Sequence, residues 1–303
     1  MIKRTVAITT PCHLSLRQQQ MLVRSKLVEG DTGRTVPVED LGLLLMEHPQ
    51  ITVTQALLAF LMEHNVAVVH CDATHHPSGM LFNFQGHSTQ TETFIAQAEA
   101  NKPLKKRLWK QVVQAKINNQ AAILAAQGSD ATRLERLARE VLSGDTDNRE
   151  GAAAVYYWPK VFRSLPNFQR DREGHYPNNL LNYGYAILRA LIARALVGSG
   201  LHPTLGLFHR NRYNAFCLAD DMMEPYRPLV DQVVGGLVQD RPLDREELDQ
   251  EAKIALLRLP TLDVRMGDRT RPLQVAASET SASLARAFLG NGETLALPTL
   301  HEP

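Results

Sequence analysis

Cysteine is scarce in this chain: three residues among 303, Cys12, Cys71 and Cys217. They are far apart and odd in number, which argues against a disulfide framework and for a reducing compartment, the cytoplasm. Long apolar runs are missing too. No stretch approaches the roughly 20 residues that cross a bilayer, and the start Met1-Ile2-Lys3-Arg4-Thr5 lacks a signal-peptide core, so no membrane association is expected. Excess charge of one sign is absent: 33 Lys and Arg against 32 Asp and Glu leave a net charge of +1. A dedicated nucleic-acid-binding domain is usually strongly basic, so phosphate contacts here would have to rest on local clusters of Lys and Arg. No G-x-x-x-x-G-K-[ST], G-x-G-x-x-G or G-x-S-x-G element appears, which argues against P-loop, Rossmann and α/β-hydrolase chemistry. No cysteine has the context of a nucleophile.

What remains is an ordinary globular composition, 44% hydrophobic and 21% charged, in a chain long enough for a large core and two domains. The first eighty or so residues read as β-rich. Lys3–Thr9 and Gln20–Arg24 alternate polar and apolar residues, and the turn signal Glu29–Gly33 predicts a hairpin. Thr35–Val38 and Leu41–Met46 are further strands, with Pro37 suited to an edge. Thr54 caps a short helix, Gln55–His64, before strands at Val66–His70 and Met80–Phe84. Near Gly86 the composition changes. Helices are predicted at Leu104–Ala126, Thr132–Leu142, from Asp147, Leu180–Val197, Leu229–Val238, Asp244–Leu257 and Ser281–Leu289, with a polar loop at Arg163–Pro177. The expected fold is therefore α+β and multidomain: a β-rich domain over residues 1–86, then a larger all-helical domain over 87–303.

The richest stretch in charge chemistry is His209 to Pro228. It packs His209, Asp220, Asp221 and Glu224 beside Arg210, Arg212 and Arg227. Carboxylates this close repel one another unless a cation sits between them or a polar surface solvates them. Upstream, Glu150 lies three residues after Asp147, the spacing of a capping box or of a ligand at a helix head. The cluster Lys102, Lys105, Lys106, Arg107 and Lys110 opens a helix whose N-terminus disfavours cations, so it is either a solvated face or a site for an anionic partner. His70-Cys71-Asp72 with His75-His76 matches no familiar zinc spacing and reads as a solvated loop.

Taken in order, Glu150-Gly-x-Ala-Ala, Asn178-Asn179-Leu180-Leu181-Asn182-Tyr183-Gly184-Tyr185, Gly200-Leu201-His202-Pro203, Phe208-His209-Arg210-Asn211 and Asp221-Met222-Met223-Glu224-Pro225-Tyr226-Arg227-Pro228 resemble the CRISPR-associated integrases. These are the metal-dependent subunits of the spacer-acquisition complex, and the likeness is greatest to members that accompany a single large RNA-guided nuclease. It spans nearly the whole chain, including Lys116-Ile117-Asn118-Asn119-Gln120.

The resemblance implies a β-sandwich-like dimerisation domain and a helical catalytic domain. It implies Glu150, His209 and Glu224 as ligands of Mg²⁺ or Mn²⁺, with Asp221 as a second acidic catalytic position. Some members carry Asp where this chain has Glu224. The implied reaction is attack of a fragment's 3′-hydroxyl on a phosphodiester at a repeat end, with endonuclease and reverse disintegration activities from the same site. Implied DNA contacts are Lys160, Arg163, Arg210 and Arg212, with Tyr183 or Tyr185 orienting the attacked phosphate. Implied partners are short duplex DNA, a repeat-containing target, a second copy in a homodimer, a small ferredoxin-fold subunit bridging two dimers, and the large nuclease. A structure-specific nuclease for branched DNA and a non-enzymatic helical DNA-binding scaffold are the alternatives.

Overall fold

The computed structural model describes residues 3–73, 77–83, 85–165, 168–171, 174–239 and 248–300. The chain divides into two compact units, Met1–Ser88 and Thr89–Pro303.

The first unit holds β1 (Arg4–Ile8), β2 (Cys12–Arg17), β3 (Gln20–Ser25), β4 (Arg34–Pro37), β5 (Leu41–Met46), β6 (Thr52–Val53), α1 (Gln55–Glu63), β7 (Ala67–Cys71) and β8 (Pro77–Leu81). They form two four-stranded sheets, ordered β1-β5-β7-β8 and β4-β3-β2-β6. Strands β1, β5 and β7 run parallel. The central β5, Leu-Gly-Leu-Leu-Leu-Met, is the near-continuous apolar run that a parallel strand covered on both faces requires. The β2–β3 hairpin was not legible in the sequence. Its turn is Gln18-Gln19, both in the left-handed region at φ 49° and 60°, where Asn-Gly is the usual signal. Pro37 ends the edge strand β4, where a missing N–H costs no ladder bond. The Thr54 hydroxyl accepts from Leu57 N at 3.4 Å, capping α1. Leu14 and Met21 from one sheet, Leu41, Leu44 and Val68 from the other, and Leu57 and Leu61 from α1 share one apolar cluster. The strand expected at Met80–Phe84 lies earlier, as β8, and Phe84 falls outside the described residues.

The second unit contains α2 (Gln90–Glu99), α3 (Lys102–Ala126), α4 (Thr132–Glu140), α5 (Arg149–Val161), α6 (Asn178–Gly198), α7 (Cys217–Met223), α8 (Arg227–Gln239), α9 (Gln250–Leu257), β9 (Asp263–Met266), β10 (Arg269–Pro272) and α10 (Leu273–Phe288). The all-helical expectation is thus corrected: β9 and β10 form an antiparallel hairpin. Two four-residue strands rich in Asp and Arg carry too little periodicity to be read from sequence. Helix α10 starts at Leu273, eight residues before its predicted start. Its hydroxyl-rich middle concealed the helix, because Ser278 and Ser281 bond back to the carbonyls of Gln274 and Ala277. The predicted helix start at Asp244 lies outside the described residues; α9 itself is capped by Asp249, whose carboxylate accepts from Ala252 N at 2.9 Å.

Helix α6 is long and apolar enough to cross a membrane by length and composition, but 78% of its most apolar stretch is buried inside the protein. Gly184 brings it against α8: a Cβ there would stand 2.5 Å from Val230 Cγ1. Helices α7 and α8 are joined by a 3-10 turn, Glu224–Tyr226. Pro225 has no N–H to continue the α-ladder, so the backbone tightens there. The chain end returns to α3. Arg107 pairs with Glu293 at 2.6 Å, and Asn119 donates to the Pro225 and Pro298 carbonyls at 2.7 and 3.0 Å while accepting from Leu300 N.

Candidate active site at the junction of α3, α5 and α7

Glu150 stands in the first turn of α5, but the capping box with Asp147 does not form. Asn148 is the cap, accepting from Gly151 N at 3.1 Å, and Asp145 accepts from Arg149 N and Glu150 N at 2.8 and 3.1 Å. With the orphan N–H groups satisfied by others, the Glu150 side chain is released for another task. Its Oε1 lies 2.5 Å from Lys116 Nζ on α3.

Lys116 also stands 2.6 Å from Glu224 Oε2. One ammonium therefore draws together carboxylates from α5 and from the α7–α8 turn, 74 residues apart in sequence. The lysine side chain is 13% exposed and that of Glu224 5%. Burial opposes the lysine charge, but Glu224 and Glu150 hold its pKa above the ordinary value. Burial likewise disfavours the Glu224 carboxylate, and Arg227, 2.9 Å from Oε1, together with Lys116 holds it below the usual range.

His209 approaches from the loop before α7. Its Nδ1 lies 2.5 Å from Asp221 Oδ1. The Asp221 side chain is fully buried, and it also accepts from the backbone N–H of Leu207, Phe208 and His209 at 2.6, 3.0 and 3.2 Å. The loop can close this tightly because residue 206 is glycine: a Cβ would meet the His209 carbonyl oxygen at 2.4 Å and Asp221 Oδ2 at 2.9 Å. The hydrogen bond that His209 donates to Asp221 raises the His209 pKa against the opposing effect of burial. Burial in turn pushes the Asp221 carboxyl up. Trp109 of α3 stacks on Phe208, centroids 4.6 Å apart, and meets the His209 ring edge-on at 5.9 Å. Two turns separate Trp109 from Lys116, so one face of α3 supports both halves of the site.

Among the described residues no three His, Cys, Asp or Glu side chains stand together closely enough to hold a metal ion; Glu150 and Glu224 are instead closed on Lys116. Asp220 binds Arg189 at 2.6 Å and Asn214 at 2.7 Å, fastening the His209 loop to α6. The two aspartates thus take Arg189, Asn214 and His209 as side-chain partners rather than the neighbouring Arg210 and Arg212. Both are exposed, and Arg212 lies 4.6 Å over the Tyr213 ring. Burial, and to a lesser degree the charge of Arg210, depresses the Lys105 pKa. On α5, Lys160 lies 4.6 Å over the Tyr156 ring, and just past its end Arg163 donates to Ser129.

Tyr183 and Tyr185 are interior. The Tyr185 hydroxyl donates to Asp231, as Tyr157 does at 3.1 Å, and Arg227 lies 4.7 Å over the Tyr185 ring. Arg170 ties the preceding loop to α6 through Asn178 and Asn182 at 3.0 and 2.6 Å. Sequence reasoning assigned no role to Lys116, Arg227 or Asp231. Lys116 did carry a signal: it continues the stripe of Trp109, Val112 and Val113, where a charged residue needs a buried partner.

A profile of the family described as CRISPR associated protein Cas1 matches residues 6–262. The CRISPR-associated endonuclease Cas1 of Neisseria meningitidis is 39% identical over 80% of this chain and 78% of its own length. Among solved structures, a casposase bound to its integration product superposes with a TM-score of 0.80 at 18% identity, over 96% of this chain and 92% of that one. A Cas6-RT-Cas1–Cas2 complex superposes with a TM-score of 0.74 at 19% identity, over 98% of this chain and 36% of that one. An endonuclease matched over 78% of its length at this identity, and a family profile running through both units, lead to one assignment: this chain belongs to the CRISPR-associated Cas1 endonuclease family.

Proposed function

We propose that this chain joins short DNA fragments to a repeat-bearing target, a fragment's 3′-hydroxyl attacking a phosphodiester and releasing the 3′-hydroxyl of the cut strand. The observation that carries the reading is the closure of Glu150 and Glu224 on one positive centre beside an imidazole already oriented by Asp221. Two carboxylates and an imidazole suit Mg²⁺ or Mn²⁺, the nitrogen favouring Mn²⁺. Glu150, His209 and Glu224 would hold that ion, whose bound charge offsets the negative charge developing on the phosphoryl oxygens. Asp221 keeps the hydrogen of His209 on Nδ1, so Nε2 remains as the ligating nitrogen. Arg210 and Arg212, with Lys105 behind them, bind the phosphates that flank the reacting one; Lys160 and Arg163 extend the track along α5. No covalent enzyme intermediate is needed.

The solved relatives motivate the partners: a casposase carries its integration product, and a Cas1 is assembled with Cas2. We infer the same use here, with the β-rich unit joining two copies and a small ferredoxin-fold subunit, Cas2, joining two dimers. Such an assembly reconciles DNA binding with a net charge of +1, since the phosphate track is built from several chains. The association with a single large RNA-guided nuclease rests on the motif likeness and the Neisseria relative. Because curated relatives are named endonucleases, hydrolytic nicking of branched DNA is the second reading, with water in place of the 3′-hydroxyl.

The test is a strand-transfer assay using a duplex with free 3′-hydroxyls and a repeat-containing plasmid, with Mg²⁺, Mn²⁺ or EDTA, and with and without the small subunit. Joined product in either metal, lost in EDTA, is expected. Nicked plasmid without joined product under every metal condition, with the small subunit present, would establish the nuclease reading instead.

A further inference from the structure

We propose that Lys116 is a resident exchangeable cation: its ammonium occupies the place between Glu150 and Glu224 that the divalent ion takes when it binds, and entry of the ion displaces it. This rests on the reading of those two carboxylates as metal ligands.

Three features of the geometry support it. The ammonium makes both of its short ion pairs, 2.5 and 2.6 Å, with the same two carboxylates. Glu150 comes from α5 and Glu224 from the α7–α8 turn, and because the caps of α5 are supplied by Asn148 and Asp145, Glu150 is left to meet Lys116. Glu224 Oε2 is buried, and the Lys116 ammonium 2.6 Å away is the cation that faces it. A lysine suits such a role better than an arginine. It is a compact point charge on a flexible four-carbon stem, whereas a guanidinium would hold a carboxylate in a rigid bidentate fork. Arg227, 2.9 Å from Oε1 of Glu224, is positioned to remain when the lysine withdraws. Two buried carboxylates facing each other without a cation would repel; the lysine holds Glu150 and Glu224 together in the metal-free site, at the cost of competing with the ion.

Lys116→Met and Lys116→Gln separate this from a purely structural role. Mn²⁺ binding is measured by titration calorimetry, and melting is followed in EDTA and in saturating Mn²⁺. Both variants are expected to melt several degrees below wild type in EDTA, to bind Mn²⁺ at least tenfold more tightly, and to recover most of the lost stability on loading. If a variant does not fold in EDTA, folding dependent on Mn²⁺ is the same result in stronger form. Unchanged or weaker Mn²⁺ affinity in folded variants, or failure to fold with Mn²⁺ present, overturns the proposal. Glu150→Gln and His209→Ala serve as controls: if they bind Mn²⁺ like wild type, or wild type binds none, the metal-ligand reading itself falls, and this proposal with it.

Discussion

The Nδ1 edge of His209 lies 2.5 Å from Asp221 Oδ1, inside a turn whose three successive N–H groups point at the same carboxylate. Asp221 is therefore a positioning residue: it fixes the ring's orientation and the loop's path at once. Asp221→Ala should lower strand transfer and Mn²⁺ affinity roughly 10- to 100-fold, the usual cost of losing an orienting carboxylate behind a metal-ligating histidine. It should also destabilise the fold by about 3 kcal/mol, because several buried donors lose their acceptor. Asp221→Asn, which retains one acceptor oxygen, should recover part of the stability. Urea unfolding and initial rates of joining separate the two effects; wild-type rates in Asp221→Ala would remove the positioning role.

Glu150 and Asp145 divide two jobs that sequence spacing merges. Glu150→Gln should reduce joining at least 100-fold while leaving secondary structure by circular dichroism unchanged. Asp145→Ala should do the reverse, costing about 1–2 kcal/mol as a lost helix cap with a much smaller effect on rate. A Glu150→Gln protein that is merely less stable and remains active would confine Glu150 to its structural ion pair with Lys116.

Asp231 lies buried beneath the site between the hydroxyls of Tyr157 and Tyr185, with Arg227 and Lys116 acting on it at longer range. Burial raises its pKa from 3.8 to about 6, against the pull of those groups. A carboxyl that holds its proton more tightly folded than unfolded favours the native state at low pH, and that advantage is lost as pH rises from about 4 through about 6. The difference amounts to about 3 kcal/mol. Asp231→Asn should remove this contribution. The stability of wild type relative to the variant is expected to fall between pH 4 and pH 7, measured from urea midpoints at each pH. A difference that stays constant across that window would mean Asp231 is ionised throughout.

Asn119 joins α3 to the Pro225 carbonyl, one residue beyond Glu224, and to the returning chain end at Pro298 and Leu300. Asn119→Leu removes all three bonds and leaves buried backbone groups without partners, about 1–3 kcal/mol for each. Joining should fall along with stability because the turn carrying Glu224 loses its anchor. Truncation before Glu293 should lower Tm in the same direction. A Tm unchanged by both would show that the chain end does not brace the site.

Much of the fold was legible in the sequence because it rests on periodicity. The apolar run of β5, the stripe of α3 and the long apolar face of α6 each declare an element whose burial is satisfied in only one way. Elements held by turn geometry or hydroxyl back-bonding were not legible: the Gln18-Gln19 hairpin, β9–β10, and the start of α10. The same division runs through the site. Order and residue type in the motifs around Glu150 and from His209 to Glu224 were sufficient to indicate the family and its chemistry. Spacing could not say that Asp147 leaves Glu150 alone, that Asp220 turns to Arg189, or that Tyr185 faces inward to Asp231. Those outcomes depend on which helix faces meet, and a pairwise contact across tens of residues leaves no local pattern. The sequence by itself determined the types of donor available and the helices that carry them. Tertiary structure alone decided that Lys116 stands between Glu150 and Glu224, because only the packing of α3 against α5 and the Pro225 turn brings a buried ammonium and two carboxylates close enough for their charges to offset the cost of burial.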